Sequence, residues 1–396
     1  MSDASLVSLA PDGKPKGNRV WVDGCFDMVH FGHSNQIRQA KQYGKCLVVG
    51  VHTDEEISVN KGPPVFTERE RYAMVKAIRW VDEVVEGAPY TTTVETLDKY
   101  RCDYCLHGND ITLDADGHDT YAAVKNAGRY RETQRTQGIS TSDLVGRMLL
   151  LTKSHHAKDD GLSDEHSERA RKLSTSEDGE TPYTRVSRFV ATTRTILEFS
   201  SGRTPKPNDR IVYVCGSFDL FHYGHLKFLE EARKLGDYLI CGILGDSTVN
   251  SYKGGNHPIM SLHERVLTVL AYKPVDEVVI GAPYTLTEEM IDRFNISVVA
   301  QGCEVPHHEH DCPDAFGAAK LRGIYKEVHS GSNLTTDLII ERIIRNRMLY
   351  ETRNRKKAKK EAAALEALQK LQGDTTKAIV VTAEAAERAE PTNKWL

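Results

Sequence analysis

Short apolar runs alternate with amphipathic stretches along most of the chain. Arg19 to Asp23 and Cys46 to His52 read as buried strands, and Val81 to Val85 and Tyr104 to His107 add two more. Between them, His33 to Tyr43 and Thr67 to Arg79 carry helical spacing, and Thr67 and Glu70 form the capping-box pattern that opens the second helix. Strands alternating with helices predict an α/β fold. Its sheet is parallel, wound by right-handed crossovers, with the functional face at the carboxyl ends of the strands.

The pattern is written twice. Val22 to His33, with its His30-Phe31-Gly32-His33 ending, returns as Val214 to His225, 192 residues later. Lys61-Gly62 returns as Lys253-Gly254 at that spacing, while Val81 to Val85 and Gly87 to Tyr90 return 194 residues later. Asp143 and Asp337 keep the spacing of 194. A period this long marks a duplicated domain and excludes a solenoid. The expected layout is a first domain at 19–152, a linker with a docking helix at 153–208, a second domain at 209–345 and a charged helical tail at 346–396. Lys153 to Pro182 holds only Ala157, Leu162, Ala170 and Leu173 as apolar residues, which marks it as flexible. Val186, Phe189, Val190, Ile196, Leu197 and Phe199 suggest the docking helix.

Composition narrows the functional classes. The 396 residues suit two domains, and 52 Lys and Arg against 56 Asp and Glu give a net charge of -4, which excludes binding of nucleic acid by bulk charge. No run reaches the ~20 apolar residues of a transmembrane helix, and Met1 to Gly17 lacks the apolar core of a secretory signal. Eight cysteines are too sparse for a disulfide scaffold, so a reduced, cytoplasmic protein is expected.

Candidate chemistry gathers at the strand ends. His30 and His33 straddle a strand-to-helix junction, where Gly32 permits close backbone approach and the helix start favours phosphate. No third ligand follows at a fixed spacing, so no metal site is expected there. Lys61, beside glycine and two prolines, can reach a phosphate as a point charge. Arg135 can clamp phosphate oxygens, Gly138 permits close approach, and Ser140 or Thr141 can cap the following helix. Arg79 could pair with phosphate or with a carboxylate, and Asp82 is read as holding a backbone turn.

Together, His-x-Gly-His, Arg79 to Val85 and Arg135 to Thr141 resemble the signature set of the CTP-dependent cytidylyltransferases, within the Rossmann-like nucleotidyltransferases. Two such domains in one chain resemble the ethanolamine-phosphate branch of that family; the phosphocholine branch has a single domain, a long lipid-sensing helix and Trp at the position of Tyr90. The resemblance implies cytidylyl transfer from CTP to phosphoethanolamine with Mg2+, giving CDP-ethanolamine and pyrophosphate for phosphatidylethanolamine synthesis. The alternatives are another phospho-alcohol substrate (phosphocholine or glycerol 3-phosphate) or a nucleotide sensor without turnover. It implies catalytic roles for His30, His33, Lys61 and Arg135. Nucleotide contacts would come from Gly24, Cys25, Phe26, Gly32, His107, Asn109, Asp110, Gly138, Ile139, Ser140 and Thr141, and substrate contacts from Asp27, Tyr90 and Tyr121. The expected protein is a monomer or homodimer in the cytoplasm, with at most weak peripheral contact with the endoplasmic reticulum.

The copies are not equal. The second keeps His222, His225 and Lys253, but its segment Val328 to Asp337 has no arginine, Leu334 faces Ser140 in the alignment, and Cys303-Glu304 faces Asn109-Asp110. Copy one is therefore expected to turn over, and copy two to bind weakly or serve as scaffold. Cys102 and Cys105 align with Ile296 and Val299 and are read as core; His307 to Cys312 is read as a polar loop, and Arg353 to Lys360 as a solvated helix.

Overall fold

The computed structural model describes residues 8–110, 112–136, 138–150, 191–303, 314–352 and 355. The linker from Lys153 to Pro182, the loop from His307 to Cys312 and the tail beyond 355 lie outside them. The chain divides into two compact units, 1–346 and 347–396. In the second, residues 347–352 are helical and Arg347 pairs with Glu351 one turn on, at 2.7 Å. No described helix is long and apolar enough to cross a membrane.

Within the first unit lie two five-stranded parallel sheets of the same topology. Copy one contains β1 (Gly17–Gly24), β2 (Gly44–Val51), β3 (Glu83–Glu86), β4 (Tyr104–Gly108) and β5 (Tyr130–Thr133), in the order β3-β2-β1-β4-β5. Copy two contains β6 (Ile211–Gly216), β7 (Tyr238–Leu244), β8 (Glu277–Ala282), β9 (Ile296–Gly302) and β10 (Tyr325–Val328), in the order β10-β9-β6-β7-β8. Each winds outward in both directions from its first strand, so a switch point falls between β1 and β4, and between β6 and β9. Crevices at such points are where open α/β sheets bind ligands. The expected strands and helices are present within a few residues. Thr67 and Glu70 make the capping box, Glu70 Oε2 accepting from Thr67 N at 2.8 Å.

The two copies pack face to face through a reciprocal contact. Ile78 and Tyr272 form an antiparallel bridge, with Arg79 N donating to Ala271 O (2.8 Å) and Lys273 N to Ala77 O (2.9 Å). Arg79 then gives its guanidinium to the carbonyls of Leu270, Tyr272 and Val275 (3.3, 3.4 and 2.6 Å). Its repeat partner Lys273 gives Nζ to the carbonyls of Lys76 and Val81 (2.8 and 3.0 Å). This corrects the expectation for Arg79: its guanidinium is spent on the partner copy's backbone carbonyls. Asp82 instead ties the start of β3 to β2 and to the helix Phe31–Lys41, accepting from Leu47 N at 2.7 Å and pairing with Lys41. One apolar core runs through the boundary and includes Ile78, Val81, Tyr272 and Val275. The docking helix appears as Ala191–Phe199, with Phe199 buried edge-on against Trp80 and Glu198 paired with Arg38 at 2.9 Å.

The strand pairings set a different repeat register in the last third of each copy. Cys105 lies opposite Tyr130 and Val299 opposite Tyr325, so the spacing grows from 194 to 195 between these strands. Ser140, which caps the helix Thr141–Leu150, therefore matches Thr335, which caps Thr336–Arg345, and Ile139 matches Leu334. Thr141 and Thr336 donate equivalent hydrogen bonds, to Asp27 O and Asp219 O. Asp143 and Asp337 are consequently not equivalent. The extra residue falls in the loop after β9, which the linear alignment crossed without a gap.

Candidate active site

The helix α1 (Phe31–Lys41) starts at the carboxyl end of β1 through an unusual cap. His30 Nδ1 accepts from Gly32 N (3.1 Å), and His33 Nδ1 accepts from His30 N (3.4 Å). A neutral imidazole that accepts at Nδ1 carries its proton at Nε2, so this double cap turns both rings into Nε2–H donors. The rings lie 4.0 Å apart between centres. A Cβ on Gly32 would lie 2.9 Å from the His30 ring and 3.1 Å from Ile139 Cγ2, so only glycine lets these groups close over the helix start. Just before, Phe26 (φ 49°) and Met28 (φ 48°) adopt left-handed backbone conformations, as Phe218 (47°) and Leu220 (47°) do in copy two. Such conformations in non-glycine residues cost energy and concentrate at functional loops.

The other predicted residues divide into those that face the crevice and those that build its walls. Lys61 Nζ lies 5.8 Å from the centre of the Tyr90 ring, and the Cys25 thiol foremost, then Tyr90 and Asp110, hold its ammonium above the usual lysine range. Arg135 is exposed at the crevice mouth, paired with Asp110 at 3.5 Å, and its backbone N donates to Asn109 Oδ1 at 3.2 Å. These contacts bring Arg135, Asn109 and Asp110 together at the end of β4, next to His107. Gly138, with φ 84°, makes the turn into the Ser140 cap. Phe26, expected at the nucleotide, is instead buried behind His33, with ring centres 5.7 Å apart. Cys25 offers its carbonyl to Arg71 Nη1 at 2.7 Å, and Gly24 packs against the Phe26 ring. Asp27 is corrected from substrate contact to tether, because its carboxylate accepts from Val65 N and Phe66 N at 2.9–3.0 Å and ties the Lys61 loop to the histidine loop.

Beside the crevice lies a buried polar cluster of which the sequence pointed to Tyr121, Tyr90 and His107 but not to Asp23, Thr92 or His52. Asp23, 2% exposed at the end of β1, accepts from Tyr121 Oη (2.8 Å) on one oxygen and from the Thr92 hydroxyl on the other. His107 lies tilted against Tyr121 (4.6 Å), and His52 lies near Tyr90 (5.1 Å), its Nδ1 within 3.1 Å of Ala88 O. Burial pushes the pKa of His52 and His107 down, so both are neutral near pH 7. Copy two places Cys215, Leu286, Phe316, Leu244 and Gln301 where copy one has Asp23, Thr92, Tyr121, His52 and His107. Cys215, Leu286 and Phe316 belong to an apolar core there. The polar set is therefore not required by the fold. That polar-for-apolar replacement was the signal available in the repeat.

Copy two repeats the double cap closely: His222 Nδ1 accepts from Gly224 N (3.1 Å) and His225 Nδ1 from His222 N (3.4 Å). Over it, however, the Leu334 carbonyl would sit 2.3 Å from a Cβ on Gly224, where copy one presents a side-chain methyl. Cys102 and Cys105 are buried free thiols in a core with Trp21, as read from the repeat.

A parallel sheet with a double-histidine helix start at its switch point, flanked by a lysine and an arginine, defines the nucleotidyltransferase class of enzyme. The cytidylyltransferase-like family matches residues 21–147 and 213–382. The ethanolamine-phosphate cytidylyltransferase of Mus musculus is 53% identical over 384 residues, spanning 92% of this chain and 95% of its own. That of Dictyostelium discoideum is 52% identical, spanning 88% of this chain and 96% of its own. Choline-phosphate cytidylyltransferase 2 of Arabidopsis thaliana is 44% identical over only 135 residues, 33% of this chain. The chain belongs to the cytidylyltransferase-like family, in the branch of the ethanolamine-phosphate cytidylyltransferases.

Proposed function

We infer that the chain transfers the cytidylyl group of CTP to phosphoethanolamine, releasing pyrophosphate and CDP-ethanolamine for phosphatidylethanolamine synthesis, and that copy one performs the turnover. Full-length similarity to enzymes named for this substrate supports the reaction. The observation that carries the substrate is buried Asp23 with its Tyr121 and Thr92 hydroxyls. A carboxylate flanked by hydroxyls suits a primary ammonium, which has three N–H donors to place. Phosphocholine has no N–H to donate and gains more from a Trp face than from Tyr90. Glycerol 3-phosphate carries no cation to offset the buried carboxylate.

The chemistry asks little of a base. A phosphate monoester with a second pKa of ~6 is already largely a dianion at neutral pH. Its oxygen attacks the α-phosphorus of CTP, the bond to the β-phosphate oxygen breaks, and pyrophosphate leaves with the electron pair. The residues align and stabilise. His30 and His33 donate from Nε2 to phosphate oxygens as charge grows there. Lys61 and Arg135 take the phosphate chain, and Ser140, Thr141, Asn109 and Asp110 border the nucleoside. Mg2+ is read as part of the CTP substrate. Asp110, the carboxylate at the crevice mouth, is paired with Arg135. Asp114, Asp116 and His118 lie together but mix an imidazole with two carboxylates, a poor match to an ion that prefers oxygen and retains water. Phosphate oxygens and water would then supply its ligands.

The same proposal makes the enzyme a cytoplasmic monomer or homodimer with at most weak peripheral contact with the endoplasmic reticulum. The decisive experiment is 31P NMR of the full chain with CTP, Mg2+ and each phospho-alcohol in turn. CDP-ethanolamine should accumulate fastest. Another CDP-alcohol in its place overturns the substrate, and no product from any substrate favours a sensor.

A further inference from the structure

The Lys61 loop and the Ser140–Thr141 cap border the nucleotide site, and inside copy one both are tied to a single residue. Asp27 accepts from Val65 N and Phe66 N at the end of the loop and offers its carbonyl to the Thr141 hydroxyl at 2.8 Å. Each segment is also gripped from the other copy. Arg147 lies seven residues past Ser140, two helical turns along the same face. Its guanidinium makes a bidentate pair with Glu264 of copy two (2.7 and 2.9 Å) and donates to Ile259 O (3.2 Å), while Asn256 donates to the Arg147 carbonyl (3.1 Å). Arg342 of copy two reaches Val65 O (3.5 Å) and makes a bidentate pair with Glu70 (3.0 and 3.1 Å). In the corrected register Arg147 and Arg342 are repeat equivalents, as are Glu70 and Glu264, so the two grips are one device used in both directions.

We propose that copy two supplies positioning residues for the copy-one site: Glu264 through Arg147, and Arg342 through Val65 and Glu70, fix the distance between the Lys61 loop and the Ser140–Thr141 cap. Each glutamate performs two tasks. Glu70 accepts from Thr67 N and Glu264 from Ser261 N, closing the capping boxes of their own helices, and each also receives the arginine of the opposite copy. A capping box accepts glutamine as well as glutamate, whereas a guanidinium pair needs the charge. Glutamine therefore removes the charged pair, weakening the grip, and keeps the helix start. The boundary has other anchors in Arg79 and Lys273, which donate to backbone carbonyls of the opposite copy away from the crevice. Loss of the Arg147–Glu264 pair is thus expected to loosen the nucleotide site rather than separate the copies. This inference rests on copy one being the turnover site.

The test uses steady-state kinetics and thermal melting of the full chain. Glu264→Gln raises the KM for CTP by about tenfold, with the phosphoethanolamine KM within about twofold, since displacing a binding segment by a fraction of an ångström is enough for that. Arg147→Ala gives the same rise, and the double variant is no worse than either single one, as expected for groups acting as one unit. Arg79→Lys serves as the boundary control, with a lower melting temperature and an unchanged CTP KM. The proposal is overturned if Glu264→Gln leaves the CTP KM unchanged, if the two single effects add, or if Arg79→Lys raises the CTP KM equally. A separate pair, His30→Ala and His222→Ala, reports on the underlying reading. Activity that follows His222 instead of His30 removes turnover from copy one whatever Glu264 does.

Discussion

Copy one and copy two begin their first helix with the same double histidine cap and tether it through equivalent aspartates, Asp27 and Asp219, yet the polar cluster beside the cap differs. In copy one the neighbours are Asp23, Thr92, Tyr121, His52 and His107, and the crevice mouth carries Arg135 and Asp110. In copy two the first three become Cys215, Leu286 and Phe316, part of an apolar core, and the Leu334 carbonyl closes over Gly224. The fold is content with either lining. Buried polar groups are costly unless partnered, so a copy of the domain that does not use them for a substrate can carry hydrocarbon at those positions. In both copies the cap also starts a helix, a structural task that needs no ligand.

The largest expected effect separates the caps. His30→Ala should lower kcat by about a thousandfold, the scale of losing a preorganised donor to a charged transition state, while His222→Ala should stay within about threefold. Initial rates of CDP-ethanolamine formation measure both. Comparable losses in the two variants would break the division between the copies.

Next comes the polar cluster. Asp23→Asn and Tyr121→Phe should each raise the phosphoethanolamine KM by about ten- to a hundredfold, the range for a charge-assisted hydrogen bond, and leave the CTP KM unchanged. A shift confined to CTP would place the cluster at the nucleotide instead. The reverse experiment in copy two has a smaller effect. Phe316→Tyr puts a hydroxyl beside Cys215 instead of a carboxylate, and should cost about 1–2 kcal/mol of stability with no gain in turnover. Urea midpoints compare it with the parent chain.

The repeat made most of this legible. Two copies, the strand–helix alternation, the histidine pair, the capping box at Thr67 and the missing arginine of copy two are all local patterns, and local patterns survive in sequence. The misreadings share a different cause. Arg79 donates to backbone carbonyls across the domain boundary, and a carbonyl acceptor has no residue type to betray it. Asp27 is consumed by two backbone amides nearly forty residues away. Asp23 and His52 sit at the ends of apolar strands, where a lone polar residue looks like a strand terminus until its apolar counterpart in the other copy is set beside it. The one-residue slip after β9 arose because a loop insertion leaves both flanking motifs intact.

Acid should sharpen the comparison in stability rather than rate. In copy two, burial, then the nearby Lys253 and Arg342 cations, push the pKa of His222 down to about 3, and burial holds His225 well below the usual histidine range. His52 and His107 of copy one are also lowered by burial. All four take protons more readily in the unfolded chain, so stability is retained above pH ~6.5 and lost as the pH falls below it. Each fully neutral imidazole contributes a slope of about 1.4 kcal/mol per pH unit between the unfolded and native pKa values. Urea unfolding at pH 7 and pH 5 should therefore show a marked drop at the lower pH. His222→Gln removes one of the four titrating groups and should flatten it. An unchanged slope in that variant would mean that the copy-two cap is protonated in the native state, and that the cationic surroundings of His222 are balanced by an anion.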